Sequence, residues 1–359
     1  MRVAVIGGGV MGAATAWRLT GRGAHVACFD RHSPPHVLGS SHGDSRMIRT
    51  AYFEGPWYVP LLQEAFPLWR ELEAATGAKL LTETGALMLG APSSELVMGV
   101  LESARQHHLP VERLSAQEVR HRYPAHVVDD GVVGVVDRQG GFLRAEPAVS
   151  AMLSQVPEVA PETTISTVGD LLPRFDAVVV AAGSWTPELV DWIPLRIERQ
   201  TMTWFGIEPD ADSLQPDRFP AFIRQMPEGD YVYGFPTLDG SSIKVARHHE
   251  GEPDNPEPIR RFVSECLGGV APDIVRTVPC LYTNTPDGHF VIDFAPLDGR
   301  VVVISACSGH GFKFAPVVGD IAADLVLEGR TRRDISRFGA ARFATSHVPS
   351  DHDRGDDQG

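Results

Sequence analysis

The sequence predicts an α/β protein with a Rossmann-like domain and a discontinuous α+β domain that contains an antiparallel sheet. The first thirty residues show a strand, a glycine-rich loop, a helix and a second strand in succession. A second apolar strand, 177–182, ends at Gly183, and continuous apolar strands of this kind belong to buried parallel sheets. Later, β-rich runs at 201–207, 231–235 and 242–246 are separated by Pro and Gly turns, which is typical of an antiparallel sheet.

The glycine loop has the spacing of a dinucleotide-binding fingerprint, Gly7-x-Gly9-x-x-Gly12. We expect Gly7 to make the tight turn, Gly9 to let the backbone approach a pyrophosphate, and Gly12 to allow close packing of helix on strand. Asp30 follows the second strand, where a carboxylate can accept hydrogen bonds from ribose hydroxyls. An acid there disfavours a 2′-phosphate, so the fingerprint indicates FAD or NAD rather than NADP.

Apolar periodicity and capping signals predict the remaining elements. Buried strands are expected at 85–90, 132–136 and 301–306, and helices at 58–76, 94–107, 115–122, 146–154, 257–267 and 316–327. Arg46 and Arg49 would lie on one side of their segment if it were helical. The order of elements predicts a cofactor domain formed by 1–50, 131–190 and 275–345, a substrate domain formed by 51–130 and 191–274, and a disordered tail at 346–359.

Composition excludes several classes of function. The chain has 359 residues, 43% hydrophobic and 22% charged, which is ordinary globular usage. A net charge of −14 disfavours nucleic acid as a partner. The four cysteines lack metal-site spacing, and no apolar run reaches about 20 residues, so we expect no metal and no membrane span. We further expect a monomer located in the cytoplasm.

Three predicted strands end in glycine, at Gly9, Gly183 and Gly309. In open α/β sheets the carboxyl ends of parallel strands form the ligand-binding edge. So many backbone contacts suit a long, resident cofactor, and therefore FAD better than a transient nicotinamide.

Longer motifs carry a more specific resemblance. These are the segments 39–49, 233–236, 277–293 and 308–314, together with Lys244 and His248 four residues further on. They resemble the monomeric sarcosine oxidase and N-methyltryptophan oxidase family, flavoproteins of the D-amino-acid oxidase superfamily with a glutathione-reductase-type FAD-binding domain. The resemblance extends over about 1–340.

The resemblance implies roles for individual residues. Cys280 matches the cysteine that bonds covalently to the flavin 8α-methyl group, and Arg46 matches a residue behind the flavin that could lower the pKa of that thiol. Arg49 and Lys313 match the pair that binds the substrate carboxylate, and Lys244 matches the lysine that promotes reaction of reduced flavin with oxygen. The other implied contacts are His248, Tyr233 and Tyr282 at the substrate, and Ser41, His42, Gly183, Gly309, Gly311 and Lys313 at the cofactor.

Each residue also has a structural explanation. Cys280 could be a small buried hydrophobe, Lys244 a solvent-facing strand residue, and His248 a satisfied core histidine. Tyr233 and Tyr282 could belong to the core, and we interpret His289 and His310 as structural.

The resemblance implies oxidation of a carboxylate-bearing secondary amine, such as an N-methyl amino acid, by hydride transfer to flavin N5, with an imine product and reduction of O2 to H2O2. The alternatives are a biosynthetic oxidase of a cyclic imino acid, an FAD dehydrogenase with another electron acceptor, and a flavin-binding protein without activity.

Overall fold

The computed structural model describes residues 1–209, 211–249 and 254–343. The seven α-helices are α1 Val10–Gly21, α2 Val59–Thr76, α3 Glu95–His107, α4 Ala116–Arg122, α5 Ala145–Leu153, α6 Glu257–Cys266 and α7 Ala315–Glu328. The strands are β1 Arg2–Ile6, β2 His25–Phe29, β3 Ser45–Ile48, β4 Leu81–Thr82, β5 Ala86–Gly90, β6 Val111–Leu114, β7 Val133–Asp137, β8 Gly141–Arg144, β9 Glu158–Ala160, β10 Ala177–Val180, β11 Arg196–Ile207, β12 Ala221–Gln225, β13 Tyr231–Gly234, β14 Ser242–His248, β15 Val270–Asn284, β16 Val291–Ala295 and β17 Asp298–Ser305. Every helix predicted above is present, with ends that differ by at most one residue.

A six-stranded sheet has the order β16-β17-β10-β1-β2-β9. It is parallel except for β16, which pairs antiparallel with β17 at one edge. Helices α1 and α7 cross closely on one face, where a Cβ on Gly319 would lie 2.6 Å from the carbonyl oxygen of Ala14. This is the predicted parallel sheet, and its three central strands β17, β10 and β1 are those that lead into Gly309, Gly183 and Gly9.

An eight-stranded sheet has the order β15-β11-β14-β13-β12-β5-β7-β6. Its pairs are antiparallel apart from β12 with β5. The antiparallel sheet predicted from 197–245 is therefore confirmed. Its longest strand, β15, was not predicted, because Pro272 and Pro279 interrupt the apolar pattern that identifies a strand.

A third, three-stranded sheet has the order β3-β8-β4. The segment that carries Arg46 is thus a strand rather than a helix, so Arg46 and Arg49 do not share a helical face. Arg49 follows the end of β3, and the two arginines have different partners: Arg46 contacts Ser40 and Cys280, whereas Arg49 contacts Ala51 and Glu54.

The domain boundaries remain a prediction, and two strands of the eight-stranded sheet can be compared with them. β7 belongs to the eight-stranded sheet, although the predicted boundary assigns 131–190 to the cofactor domain. β15 begins before the predicted boundary at 275 and ends after it. The predicted tail lies outside the described residues. Within the described part of the chain, no helix is long and apolar enough to cross a membrane.

Candidate active site

One cleft runs from the carboxyl edge of the six-stranded sheet to the eight-stranded sheet. Fourteen of the predicted site residues line it, namely Gly7, Gly9, Asp30, Ser41, Arg46, Arg49, Gly183, Tyr233, His248, Cys280, Tyr282, Gly309, Gly311 and Lys313. Gly12, His42 and Lys244 lie behind this lining. The fold thus gathers residues from five separate segments of sequence, 7–49, 183, 233–248, 280–282 and 309–313, around one space.

The glycine loop packs as its spacing predicts. Gly7 has φ of +103°, in the region that favours glycine, and a Cβ on Gly12 would lie 1.7 Å from the Gly7 carbonyl oxygen. Gly9 caps helix α1 without any side-chain hydrogen bond. The amino end of α1 therefore faces the cleft with backbone N–H groups suited to an anion, and Ser41 Oγ accepts one of them, from Val10 N at 3.0 Å.

Asp30 lies at this end of the cleft and is buried. Its Oδ2 accepts from Gly8 N at 2.6 Å, and its Oδ1 from His32 N at 2.8 Å, with His36 Nε2 at 3.5 Å. Burial by itself would raise the pKa of Asp30, but these partners outweigh it and lower the pKa. Asp30 is therefore a charged acceptor.

Polar atoms without a partner support a bound group along this cleft. Ser184 Oγ and Ser305 Oγ belong to lining residues, are buried, and have no hydrogen-bond partner among the described residues. His42 Nδ1 is similarly buried and unpartnered, while its Nε2 donates to the Gly39 carbonyl at 3.0 Å. Buried polar groups normally have partners, so these atoms fit a polar, elongated ligand such as a dinucleotide.

Arg46 and Cys280 meet in the middle of the cleft. Arg46 Nη2 donates to the Ser40 carbonyl at 2.8 Å and lies 3.7 Å from Cys280 Sγ. Burial raises the pKa of the Cys280 thiol, and Arg46 lowers it by a smaller amount. Loss of water therefore outweighs one cation at this site, and the role that the resemblance implies for Cys280 stays a prediction.

Lys244 is buried beside the cleft. Its Nζ donates to the carbonyl oxygens of Gly43 at 2.7 Å and Ser45 at 2.5 Å, and lies 4.4 Å from the centre of the Phe235 ring. Burial first, and Arg46 second, lower its pKa well below the usual range. The solvent-facing alternative is therefore wrong, and an anion placed near Nζ would favour its charged form.

Arg49 and Lys313 line the part of the cleft that also contains Glu54 and His310, which we call the substrate-side end. Arg49 Nη1 donates to the Ala51 carbonyl at 2.8 Å, and its Nη2 contacts both oxygens of Glu54 at 2.8 and 2.7 Å. Arg49 Nε is buried and has no hydrogen-bond partner among the described residues. Burial, and then Arg49, lower the pKa of Lys313 to about 7.

Tyr52 and Glu54 contact the two cations, although the sequence motifs did not identify them. Tyr52 contacts Lys313, and Glu54 pairs with Arg49. Lys313 Nζ donates to the His310 carbonyl at 2.7 Å and to the Tyr52 hydroxyl at 3.3 Å. His310 Nε2 lies 3.0 Å from the Gly288 carbonyl, so Nε2 is the donor and Nδ1 accepts from the Tyr52 hydroxyl at 2.7 Å. Only the three-dimensional contact reveals Tyr52 and Glu54, because neither belongs to a spaced motif.

The wall opposite these cations is aromatic. His248 Nδ1 lies 3.1 Å from the Tyr282 hydroxyl, and a Cβ on Gly309 would lie 2.5 Å from His248 Cε1. Burial, with a contribution from His249, lowers the pKa of His248 to about 3. The site therefore combines a cation pair with a neutral imidazole, and glycine at 309 lets His248 and Tyr282 pack against the backbone there.

A parallel sheet with a glycine fingerprint, an acid after β2 and a cleft lined along its length are the features of a dinucleotide-binding protein. Residues 2–325 match the family model described as FAD dependent oxidoreductase, and the chain belongs to this family. The predicted FAD-binding fold and the predicted class of enzyme, an FAD-dependent oxidoreductase, are thereby confirmed.

Curated relatives align over nearly the full chain. Monomeric sarcosine oxidase of Streptomyces avermitilis is 38% identical, covering 96% of this chain and 98% of the relative. N-methyl-L-tryptophan oxidase of Salmonella dublin is 35% identical, covering 95% and 98%. The family resemblance drawn from the sequence motifs is confirmed.

Solved structures share the architecture. NikD, an unusual amino acid oxidase essential for nikkomycin biosynthesis, has a TM-score of 0.79 at 25% identity, with 94% of this chain and 96% of that chain covered. Glycine oxidase from Geobacillus kaustophilus has a TM-score of 0.76 at 19% identity, with 97% and 100% covered, and this second likeness concerns the fold alone.

Proposed function

We propose that this protein is an FAD-dependent oxidase of a carboxylate-bearing secondary amine, such as an N-methyl amino acid, that uses O2 and produces an imine and H2O2. The observation that carries the proposal is the cation pair Arg49 and Lys313 at the substrate-side end of a cleft that fits FAD. The names of the two curated relatives, a sarcosine oxidase and an N-methyl-L-tryptophan oxidase, point to the same substrate class.

The cofactor is proposed to lie along the cleft. Asp30 and the amino end of α1 would hold its ribose and pyrophosphate, and the unpartnered hydroxyls of Ser184 and Ser305 would bond to its polar groups. The flavin supplies hydride acceptance and electron transfer to oxygen. Everything else the reaction needs must come from the side chains around the substrate.

Arg49 and Lys313 would bind the substrate carboxylate. Arg49 Nε is buried and has no partner in the described part of the chain, and two of the three Lys313 N–H groups are already used, so each residue has a donor to offer. Charge-assisted hydrogen bonds of this kind are the strong ones, and they also orient the bound molecule. The carbon next to nitrogen would thereby be held in one place.

His248 and the tyrosines would surround the amine. Because burial keeps His248 neutral, it places no positive charge beside the nitrogen, which favours the neutral amine that can release a hydride. Tyr233 and Tyr282 line the same space and exclude water from it. His248 would thus act by hydrogen bonding rather than as a charged group.

Cys280 is proposed to tether the flavin as a thioether through its 8α-methyl carbon. Forming this C–S bond would remove one hydrogen from the thiol and one from the methyl group, and the two protons and two electrons would convert O2 to H2O2. Arg46, 3.7 Å from Sγ, would favour the thiolate that this reaction needs. Lys244 would stabilise the negative charge that develops as O2 is reduced.

A peroxide-release screen tests the proposal. The purified yellow protein is assayed with N-methyl amino acids, with cyclic amino acids, and with the amide of each compound. We expect peroxide from the acids and little from the amides. Peroxide from cyclic compounds alone would favour the cyclic imino acid alternative, and flavin reduction without peroxide would favour the dehydrogenase.

A further inference from the structure

Glu54 is an acidic group in the substrate-side end of the cleft for which the proposed reaction has no role. Of the acidic side chains among the described lining residues, Asp30 lies at the glycine loop and Glu54 lies beside Arg49. Burial would raise the pKa of Glu54, but Arg49, with a smaller contribution from Lys313, outweighs burial and lowers it. Glu54 is therefore a charged group within the binding space.

The cations that face Glu54 are Arg49 and Lys313. Burial lowers the pKa of His248 to about 3 and of His310 to about 4, so neither adds a charge near neutral pH. Arg46 is directed to Ser40 and Cys280, and Lys244 to the carbonyls of Gly43 and Ser45. With Lys313 in the charged form that a bound carboxylate favours, the protein charges at the substrate-side end are thus two positive and one negative.

Few donors remain for a ligand. Among the described residues, Arg49 donates once to Ala51 and with both Nη2 N–H groups to Glu54, which leaves its buried Nε–H and one Nη1 N–H, and Lys313 donates to Tyr52 and His310, which leaves its third N–H. One arginine N–H and the lysine N–H can serve the two oxygens of one carboxylate. A carboxylate beside Lys313 also holds that amine in its charged form.

We propose that Glu54 restricts this site to ligands with a single carboxylate by neutralising one of the two cations. The inference rests on the proposed carboxylate site formed by Arg49 and Lys313. A monocarboxylate brings the local charge to zero. A second carboxylate would remain buried without a counter-charge, which is strongly unfavourable.

Ligand titration of the flavin-loaded protein tests this proposal without turnover. Butanoate and succinate have the same chain length and differ in one carboxylate, and both are fully ionised at pH 8. Binding is followed by the change in the visible absorbance of the flavin. In the wild-type protein we expect succinate to bind at least about tenfold more weakly than butanoate.

The variant Glu54→Gln keeps the shape and removes the charge, and we expect the succinate-to-butanoate ratio of Kd to fall by about tenfold or more. Glu54→Asp keeps the charge and should keep the preference for butanoate. Glu71→Gln, which removes a surface carboxylate paired with Arg18, should leave the ratio unchanged.

Equal binding of succinate and butanoate by the wild type overturns the proposal, as does an unchanged ratio in Glu54→Gln. If Glu54→Gln fails to fold, the proposal is tested by the succinate-to-butanoate ratio of Kd in the wild type and in Glu54→Asp. Loss of the preference for butanoate in Glu54→Asp counts against the role of Glu54. If Arg49→Met weakens butanoate binding but Glu54→Gln leaves the succinate-to-butanoate ratio of Kd unchanged, only this inference is overturned. Absence of butanoate binding to the wild type would overturn the carboxylate site itself, and with it the proposed function.

Discussion

Nη2 of Arg46 lies 3.7 Å from Sγ of Cys280, and both side chains line one cleft. The two residues are 234 positions apart in sequence, so the fold alone creates this contact. It places a permanent cation beside a thiol whose pKa burial has raised. This pairing is the structural basis for the proposed covalent flavin.

The first prediction concerns the tether. After acid precipitation, the yellow colour should stay with wild-type protein and move to the supernatant with Cys280→Ser. Cys307→Ser is the matched control, because Cys307 also lines the cleft, and its flavin should stay bound. Release of flavin from the wild type, or from Cys307→Ser but not from Cys280→Ser, would contradict the assignment.

The second prediction concerns oxygen. The chain has three lysines, and Lys244 is buried next to the cleft whereas Lys79 is exposed. Lys244→Met should slow reoxidation of the flavin at least about a hundredfold, the size of a lost preorganised charge contact, with a much smaller effect on anaerobic reduction. Stopped-flow absorbance separates the two half-reactions. Lys79→Met should change neither rate, and equal slowing of both by Lys244→Met would refute the proposed role.

The third prediction concerns the substrate carboxylate. A hydrogen bond to a charged group contributes about 1.5–3 kcal/mol, so Arg49→Met should raise KM by about 10- to 100-fold. Arg247→Met is a suitable control, since Arg247 pairs with Asp230 at 2.6 Å outside the cleft lining. Steady-state kinetics provide the measurement. A KM that is unaffected by Arg49→Met would place the carboxylate elsewhere.

The fourth prediction concerns stability at acid pH. His126 is buried, its ring is stacked on Phe219 at 4.6 Å between centroids, and burial, with a contribution from Arg224, lowers its pKa from 6.5 to about 3. A histidine whose pKa falls on folding binds protons more readily in the unfolded chain. Its contribution is therefore complete above about pH 6.5 and is lost as the pH falls towards 3, by up to about 1.4 kcal/mol per pH unit.

His126→Phe removes this group without opening a cavity. We expect the dependence of the unfolding free energy on pH between 6 and 4 to become shallower by about that amount, as measured by denaturant unfolding. His121→Phe, at an exposed position, should leave the slope unchanged. An identical slope in His126→Phe and wild type would show that His126 does not titrate as the structure indicates.

Much of the fold could be predicted because local rules determined it. The glycine spacing and the apolar run 177–182 identified strands β1 and β10, and the capping box of Ser115 and Glu118 is present at the start of α4. Strand β15 escaped prediction because its partner β11 is about 80 residues away and its own pattern is broken by proline. Pairing at that distance leaves no periodic signal in a single sequence.

Some residues of the site could be predicted from sequence motifs, and others could not. Cys280, Arg49 and Lys313 lie in recognisable motifs, and the structure brings all three to the cleft. Glu54 and Tyr52 have no motif, and their importance comes from contacts with Arg49 and Lys313. The raised pKa of the Cys280 thiol was likewise unpredictable, because the degree of burial depends on packing from distant segments.

The central claim is that the cleft oxidises an amine held by its carboxylate, and anaerobic titration tests it most directly. The flavin-loaded protein is mixed without oxygen with N-methyl amino acids and with the amide of each, and then exposed to air. We predict that the visible flavin absorbance is lost with the acids, changes little with the amides, and returns in air with about one peroxide for each flavin reoxidised. Absorbance that no carboxylate-bearing amine diminishes, or that acids and amides diminish equally, would contradict the account.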